Sequence, residues 1–253
     1  MKNILITGAG SGIGRALAIS YSKSGANLFL CGRDEKKLRA TKILCEELRA
    51  KVHCKIFDVR NEVECREWIE EVEAKNQLDL VIANAGVSAG TAEGTESFSQ
   101  IKEIFSTNLH GVLNIIHPAI DFMIPRKSGQ IAIISSLAGF RGLPSSPAYS
   151  GSKAAVRVYG EGLRGNLAPL GIKVSVVCPG YIKTPMTDVN EFPMPFLMKA
   201  EKCAELIKDG LVKNKSRIAF PFPLYFVVWL LALISNKITD PIFAKLPKKK
   251  GMK

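Results

Sequence analysis

The chain has 253 residues, of which 47% are hydrophobic and 23% are charged. These values exclude a disordered chain and fit a single α/β domain that buries a large core. The net charge is +12, but the scattered excess lacks zinc-finger spacing and interleaved aromatic residues, so we expect no nucleic-acid partner. Six cysteines without a C-x-x-C pair indicate reduced thiols, and three dispersed histidines give no basis for a metal site.

Short apolar runs alternate with longer amphipathic stretches along most of the chain. The runs predict strands at residues 4–6, 27–31, 52–57, 78–83, 130–134, 173–177 and 218–220. Strands that are apolar throughout are typical of a parallel sheet with helices on both faces. We therefore predict a doubly wound α/β fold of about seven strands. Because the first apolar run is too short for a signal peptide, we also expect a cytoplasmic protein.

A glycine-rich turn, with Gly8, Gly12 and Gly14, follows the first predicted strand and opens a helix. Glycine lets the backbone approach a phosphate closely, and the N–H groups at a helix start stabilise its charge. The spacing differs from G-x-G-x-x-G because residue 13 is isoleucine. A glycine motif alone leaves a simple tight turn as the alternative.

Apolar residues recur at helical spacing between residues 101 and 123, and Asn108 lies on the same stripe. A polar side chain on a buried helix face must find hydrogen-bond partners. Asn108 is therefore either a satisfied structural residue or part of a functional site.

Tyr149 and Lys153 are four residues apart in a predicted helix, and Ser136 precedes the tyrosine by thirteen residues. The two lie on one helix face, so a lysine cation near the phenol should lower the tyrosine pKa from about 10. The pair indicates a site for proton exchange with a carbonyl or an alcohol. The alternative is a packed tyrosine with a solvated lysine.

Six motifs, in this order and spacing, resemble the short-chain dehydrogenase/reductase family over residues 1 to about 190. They are the glycine turn, Asn84-Ala85-Gly86, Asn108, Ser136, Tyr149 with Lys153, and Pro179-Gly180 with Thr184. The resemblance implies a single-domain Rossmann fold, a nicotinamide cofactor, and hydride exchange between a carbonyl and an alcohol.

The resemblance also implies roles for individual residues. Tyr149 would be the general acid or base, and Lys153 would lower its pKa and hold the nicotinamide ribose. Ser136 would polarise the substrate carbonyl; its spacing from the tyrosine selects it over Ser135. Asn108 would bind a water molecule in the proton relay. The implied cofactor contacts are Gly8, Ser11, Gly12, Ile13, Gly14, Arg33, Asp58, Val59, Asn84, Ala85, Gly86, Tyr149, Lys153, Pro179, Gly180, Ile182 and Thr184.

The end of the second predicted strand decides the choice of nucleotide. Counting about twenty residues past the last glycine selects Asp34, a ribose-binding acid, and hence NAD. The family register instead places the discriminating position at Gly32, followed by Arg33, which can contact a 2′-phosphate in bidentate fashion. We therefore expect NADP(H), with NAD(H) as the alternative, although Ser11 replaces a basic residue that many NADP enzymes of the family carry.

The predicted catalytic core comprises residues 1–190. The part of the chain that follows this core departs from the family pattern. Residues 185–215 correspond to the family's substrate lid and the following helix. The lid's apolar side chains predict a lipid-, steroid- or retinoid-like carbonyl or alcohol, unless they simply pack on the core. The last part, 216–253, comprises the final strand, an apolar segment and a basic tail.

Residues 218–234 carry no charge, and lysines follow them at Lys237, Lys245, Lys248, Lys249, Lys250 and Lys253. Pro221 and Pro223 leave 224–234 as uninterrupted helix, which is too short to span a membrane. Three interpretations remain: a core or subunit-interface helix, a peripheral membrane contact, or an extension over the substrate pocket.

Together these features predict an NADP(H)-dependent oxidoreductase acting on a hydrophobic carbonyl or secondary alcohol. A homodimer or homotetramer is expected, with interfaces on the helices after residues 101 and 149. The competing class is a nucleotide-binding regulatory or membrane-adaptor protein without turnover. A complete proton-transfer set favours the enzyme.

Overall fold

A computed structural model describes residues 2–91, 94–245, 247 and 249–251, so the predicted tail residues Lys248 and Lys253 lie outside the described part. Its strands are β1 (Asn3–Thr7), β2 (Asn27–Gly32), β3 (Lys51–Ile56), β4 (Leu80–Ala83), β5 (Gly129–Ile134), β6 (Ile172–Pro179), β7 (Ile182–Lys183), β8 (Met198–Lys199) and β9 (Arg217–Phe220). Seven of them form one parallel sheet in the order β3-β2-β1-β4-β5-β6-β9. This confirms the predicted fold.

Helices cover both faces of the sheet. They are α1 (Gly12–Ser22), α2 (Glu35–Glu47), α3 (Glu62–Glu73), α4 (Phe98–Phe105), α5 (Gly111–Arg126), α6 (Pro147–Leu167), α7 (Pro185–Asp188), α8 (Ala200–Val212), α9 (Phe222–Leu233) and α10 (Asn236–Phe243). One hydrophobic core lies between the sheet and α1, α2 and α8, and a second lies between the sheet and α3, α5 and α6. All six cysteines lie within the described residues, and none forms a disulfide.

Two local features differ from the predicted elements. The fourth strand begins at Leu80, not at residue 78, and the N–H of Leu78 donates to the Glu73 carboxylate at 3.1 Å. The pair β7 and β8 was not predicted, because two residues per strand are too few to show a periodic pattern.

The stripe around Asn108 is not one regular helix. A π-helical turn, Ser106–His110, joins α4 to α5 and contains Asn108. A single turn of five residues is too short to show a periodic pattern of its own in the sequence, and such turns are frequent at functional sites.

The apolar C-terminal segment forms α9, which begins at Phe222 and not at the predicted residue 224. Its Pro223 lies in the first turn, where a missing N–H costs nothing. No residue of α9 is buried, so the interpretation as a core helix is wrong. Within the described residues, no helix combines the length and apolar character needed to cross a membrane.

One face of α9 packs on the protein. Leu224, Tyr225 and Val228 contact a small cluster around Leu137, while the other face remains exposed. Leu224 also lies beside Gly180: a Cβ at that glycine would be 3.1 Å from its methyl group. The helix therefore packs against Gly180 with one edge.

Candidate active site

A cleft of about 340 Å³ opens at the carboxyl ends of the central strands. It is lined by every predicted site residue except Gly14 and Asn108. Strands that run in parallel bring their carboxyl ends to one sheet edge, which explains why motifs far apart in the chain meet there. Residues that the sequence analysis did not assign to the site also line the cleft: Gly10, Gly32, Asp34, Lys37, Phe57, Val87, Thr107, Ile134, Ser135, Pro185, Met186 and Thr187.

The glycine turn forms a cradle that side chains would fill. Gly8 and Gly12 have φ angles of +64° and +52°, and a Cβ at Gly12 would lie 3.0 Å from Thr184. A Cβ at Gly14 would press on the Gly8 carbonyl oxygen and lie 2.6 Å from Asn84 Nδ2. The turn therefore presents bare backbone to the cleft at the start of α1, as binding of a dinucleotide pyrophosphate requires.

Asn84 fastens this turn to the neighbouring strand β4. Its side-chain Nδ2 donates to the Thr7 carbonyl at 2.8 Å, and Thr7 Oγ1 accepts from the N–H groups of Asn84 and Ala85, both at 2.9 Å. These bonds join the ends of β1 and β4 directly behind the cradle. Asn84 is therefore a structural part of the cleft wall.

The end of β2 is open and basic. A Cβ at Gly32 would meet nothing within 4 Å, and the guanidinium of Arg33 is half exposed, 3.5 Å from Asp58. Asp34 instead caps α2, where it accepts the Lys37 N–H at 3.0 Å, and its carboxylate lies 3.0 Å from Lys37 Nζ. Its carboxylate is thus engaged by the first turn of α2, which disfavours the ribose-binding role that counting suggests.

Lys37 is a basic cleft residue that the sequence reasoning missed. It lies three residues after Asp34, and the first turn of α2 passes close to Gly10, whose Cβ would be 3.2 Å from Lys37 Cβ. The sequence feature that could have revealed Lys37 is its position in the first turn of the helix that follows Arg33. It adds a second cation to the rim of the cleft.

Tyr149 and Lys153 project from α6 into the other end of the cleft. Lys153 is buried; its ammonium donates to the Ile134 carbonyl at 2.8 Å and lies 5.9 Å from the centre of the Tyr149 ring. Burial lowers the pKa of Lys153 to about 8. The expected fall in the Tyr149 pKa is wrong for this structure: burial raises it, and hydrogen bonding to Ser136 only opposes that rise.

The two candidate serines have different surroundings. Ser135 Oγ donates to the Lys153 carbonyl at 2.7 Å, which fixes α6 against β5. Ser136 Oγ accepts the Ala138 N–H at 3.1 Å and donates to the Pro179 carbonyl at 3.4 Å, and its hydroxyl opposes the rise in the pKa of the neighbouring Tyr149 phenol. Only Ser136 therefore presents its hydroxyl beside the tyrosine oxygen.

Asn108 lies just behind the catalytic end of the cleft with its side chain fully engaged. Oδ1 accepts the Val87 N–H at 2.8 Å, while Nδ2 donates to the Val87 carbonyl at 2.9 Å and to Ser152 Oγ at 3.0 Å. A Cβ at Gly86 would lie 3.1 Å from Asn108 Oδ1 and 3.4 Å from Lys153 Nζ. The side chain thus ties the loop after β4 to α6, and its role in a water relay stays a prediction.

Comparisons with known proteins agree with this geometry. The family model described as short chain dehydrogenase matches residues 2–192. An uncharacterized oxidoreductase from Myxococcus xanthus is 34% identical over 246 residues, covering 97% of each chain.

Two solved structures have the same architecture. A variant of actinorhodin polyketide ketoreductase, solved with NADPH, is 28% identical with a TM-score of 0.78, covering 87% of this chain and 94% of that one. A protein from Burkholderia phymatum, solved with NAD, has a TM-score of 0.82 at 24% identity, covering 95% of both chains, and shows the fold alone. The present chain belongs to the short-chain dehydrogenase/reductase family and is an oxidoreductase.

Proposed function

We propose that the protein is an NADP(H)-dependent oxidoreductase that interconverts a carbonyl and a secondary alcohol on an apolar substrate. The observation that carries the proposal is one cleft with two chemically distinct ends. The glycine cradle and Arg33 lie at one end, and Tyr149, Ser136 and Lys153 lie at the other. Their separation along a single cleft suits a dinucleotide whose reactive ring must reach a proton donor.

A nicotinamide cofactor bound in this cleft would supply or accept the hydride. The Gly8–Gly14 turn would hold its pyrophosphate, Asp58 and Val59 would border the adenine, and Ile182 and Thr184 would contact the carboxamide. The buried ammonium of Lys153 would hold the ribose hydroxyls. All of these side chains and backbone groups except Ala9 and Gly14 of the turn line the cleft.

The chain's own residues would manage the proton. Burial keeps the Tyr149 phenol protonated at neutral pH, so that it can donate its proton to the nascent alkoxide during reduction. Ser136 would donate a hydrogen bond to the same substrate oxygen and polarise the carbonyl. In the reverse direction Tyr149 would first have to lose its proton, and the resulting phenolate would accept the proton of the alcohol.

The direct test is the oxidation of NADPH by the full-length protein with a panel of apolar ketones, followed by its absorbance. We expect turnover with at least one ketone and, in the reverse assay, reduction of NADP⁺ by the matching alcohol. If broad panels give no turnover in either direction, the protein acts without catalysis and the regulatory or adaptor class is favoured.

Preference for NADPH depends on Arg33. Removing a charge-assisted hydrogen bond to phosphate costs about 1.5–3 kcal/mol, so Arg33→Ala should weaken NADPH binding by roughly 10-fold or more. NADH binding should change little. Fluorescence titration of wild type and variant with both nucleotides measures these effects.

The matched control for that titration is Arg39→Ala. Arg39 belongs to the same helix α2 as Lys37, pairs with Glu35 at 2.6 Å and does not line the cleft. It should leave both affinities unchanged. Tighter binding of NADH than of NADPH by the wild-type protein would overturn the preference.

An apolar substrate is supported by the segment after β7. Met186, Val189, Phe196 and Leu197 are between 37% and 57% exposed, so they do not simply pack on the core. Met186 also lines the cleft. Apolar side chains held in solvent next to a catalytic tyrosine fit a lipophilic compound that covers them on binding.

We also propose that the exposed face of α9 contacts a membrane surface peripherally. The face carries Phe222, Phe226, Val227, Trp229, Leu230 and Leu233. Aromatic and aliphatic side chains on a short helix, followed by Lys237 and Lys245, suit the interface of an anionic bilayer.

Flotation with phosphatidylglycerol vesicles tests this contact. The full-length protein should float with them, and its tryptophan emission should shift to the blue because Trp229 is 40% exposed whereas Trp68 is only 5% exposed. Phe226→Glu should abolish flotation. Trp229→Phe should float but should lose the blue shift of the tryptophan emission. Val212→Glu, an exposed apolar position at the end of α8, is the control and should still float. No flotation of the unaltered protein would refute the contact.

A homodimer or homotetramer remains our proposal for assembly. Large apolar side chains are exposed on the helices expected at the interface: Phe98 on α4, Phe122 on α5 and Val158 on α6. Burial of these surfaces between copies would remove them from water.

A further inference from the structure

The C-terminal tail returns to the catalytic end of the cleft. Lys249 Nζ lies 2.7 Å from Ser88 Oγ and 5.5 Å from the centre of the Tyr149 ring. The Gly90 N–H donates to the Lys250 carbonyl at 2.7 Å, which fixes the tail along the loop after β4. A charged side chain from the end of the chain therefore rests on the proposed proton donor.

Two contacts hold this part of the tail without using the Lys249 ammonium. They are the backbone bond to Gly90 and the ion pair between Lys250 and Glu191, a residue of the segment before β8. The tail can remain docked while the Lys249 ammonium exchanges its partner. The ammonium, which faces the Tyr149 ring, is thus available to a ligand bound beside that ring.

Lys249 lacks a negative partner among the described residues. Its ammonium forms no salt bridge there and has only the neutral Ser88 hydroxyl and the Tyr149 ring face as partners. Burial lowers its pKa to about 8, which reflects the cost of keeping a charge away from water. An unpaired cation in such a place gains free energy when an anion binds next to it.

We propose that Lys249 determines substrate specificity by binding an anionic group of the substrate, with Ser88 as a second hydrogen-bond donor to that group. The inference rests on the proposed function and refines it. Apolar side chains of the lid and one cation beside Tyr149 together select an apolar oxo acid or hydroxy acid. The carboxylate binds Lys249, while the carbonyl or alcohol carbon faces Tyr149.

The test uses the full-length protein, NADPH, and a series of aliphatic oxo acids that differ in the distance between the ketone and the carboxylate. Each acid is paired with its methyl ester, which keeps the ketone and removes the charge. For at least one pair we expect wild-type kcat/KM for the acid to exceed that for the ester by about 10-fold or more, the size of a charge-assisted hydrogen bond.

Lys249→Gln should remove this discrimination. It should lower kcat/KM for the acid by about 10-fold, mainly through KM, and leave the ester within about 2-fold. The control is Lys245→Gln, which removes an equal charge just after α10; among the described contacts, only Lys153 and Lys249 place an ammonium over the Tyr149 ring. It should keep the preference for the acid. Circular dichroism confirms that each variant is folded.

Other outcomes contradict the proposal in distinguishable ways. Turnover of ketones with equal use of acid and ester, unchanged in Lys249→Gln, refutes the role of Lys249 and leaves the proposed function intact. If Lys249→Gln raises kcat/KM for the acid and the ester equally, the Lys249 side chain obstructs the site and does not bind the carboxylate. If the wild-type protein turns over no substrate, the proposed function fails; calorimetric binding of the acids to wild type and variant with NADPH then decides the role of Lys249 alone.

Discussion

Tyr149→Phe is expected to lower kcat by about 10²–10⁴-fold, the range that a positioned general acid contributes. The substitution removes only the phenolic oxygen. The ring that contacts Lys153 and Lys249 remains, and so do the cradle and the backbone that surround the cofactor cleft. NADPH affinity and the unfolding midpoint should therefore change little.

Steady-state turnover of the best ketone, together with NADPH titration, measures this effect. Tyr159→Phe is the matched control: Tyr159 lies on the same helix α6 but hydrogen-bonds His117 at 2.7 Å and does not line the cleft. It should keep near wild-type kcat. If Tyr149→Phe retains activity within about 3-fold of wild type, another group supplies the proton.

Gly14→Ala is expected to weaken NADPH binding by more than about 10-fold and to lower the free energy of unfolding. The added Cβ would press on the Gly8 carbonyl and lie 2.6 Å from Asn84 Nδ2, and both belong to the network that joins β1 to β4. The glycine turn must move to relieve this steric overlap. Such overpacking costs about 1–3 kcal/mol, and a displaced turn no longer presents its N–H groups to a pyrophosphate.

Urea unfolding and fluorescence titration measure the two effects. Gly162→Ala provides the contrast, because a Cβ at that position in α6 meets nothing within 4 Å. It should raise the free energy of unfolding by about 0.5–1 kcal/mol, since alanine loses less conformational freedom in a helix. Undiminished NADPH binding by Gly14→Ala would mean that the turn does not cradle the cofactor.

Local pattern predicted much of the fold and of the candidate site. The order of strands and helices follows from continuous apolar runs and helical periodicity, which depend on neighbouring residues only. The Tyr149 and Lys153 pair is also local, because four residues of helix bring them to one face. Ser136 and the glycine turn were recognised from their spacing, and the structure brings them to the same cleft.

Other features depend on contacts between distant parts of the chain, so no local pattern could reveal them. The direction of the shift in the Tyr149 pKa depends on how much of the molecule surrounds the phenol, and burial raises this pKa. The engaged state of Asn108 depends on Val87 and Ser152, which other elements supply.

The sequence by itself thus determined the architecture and the family and supplied the candidate residues for proton transfer, because periodicity and motif spacing are properties of short segments. Only the tertiary structure decided what surrounds those residues. Lys37 reaches the cofactor cleft through the first turn of α2. Lys249 reaches Ser88, 161 residues earlier in the chain, because the backbone at Lys250 is hydrogen-bonded to Gly90 in the loop after β4. Burial and charge at a site are sums over the whole fold, and they exist only once it has formed.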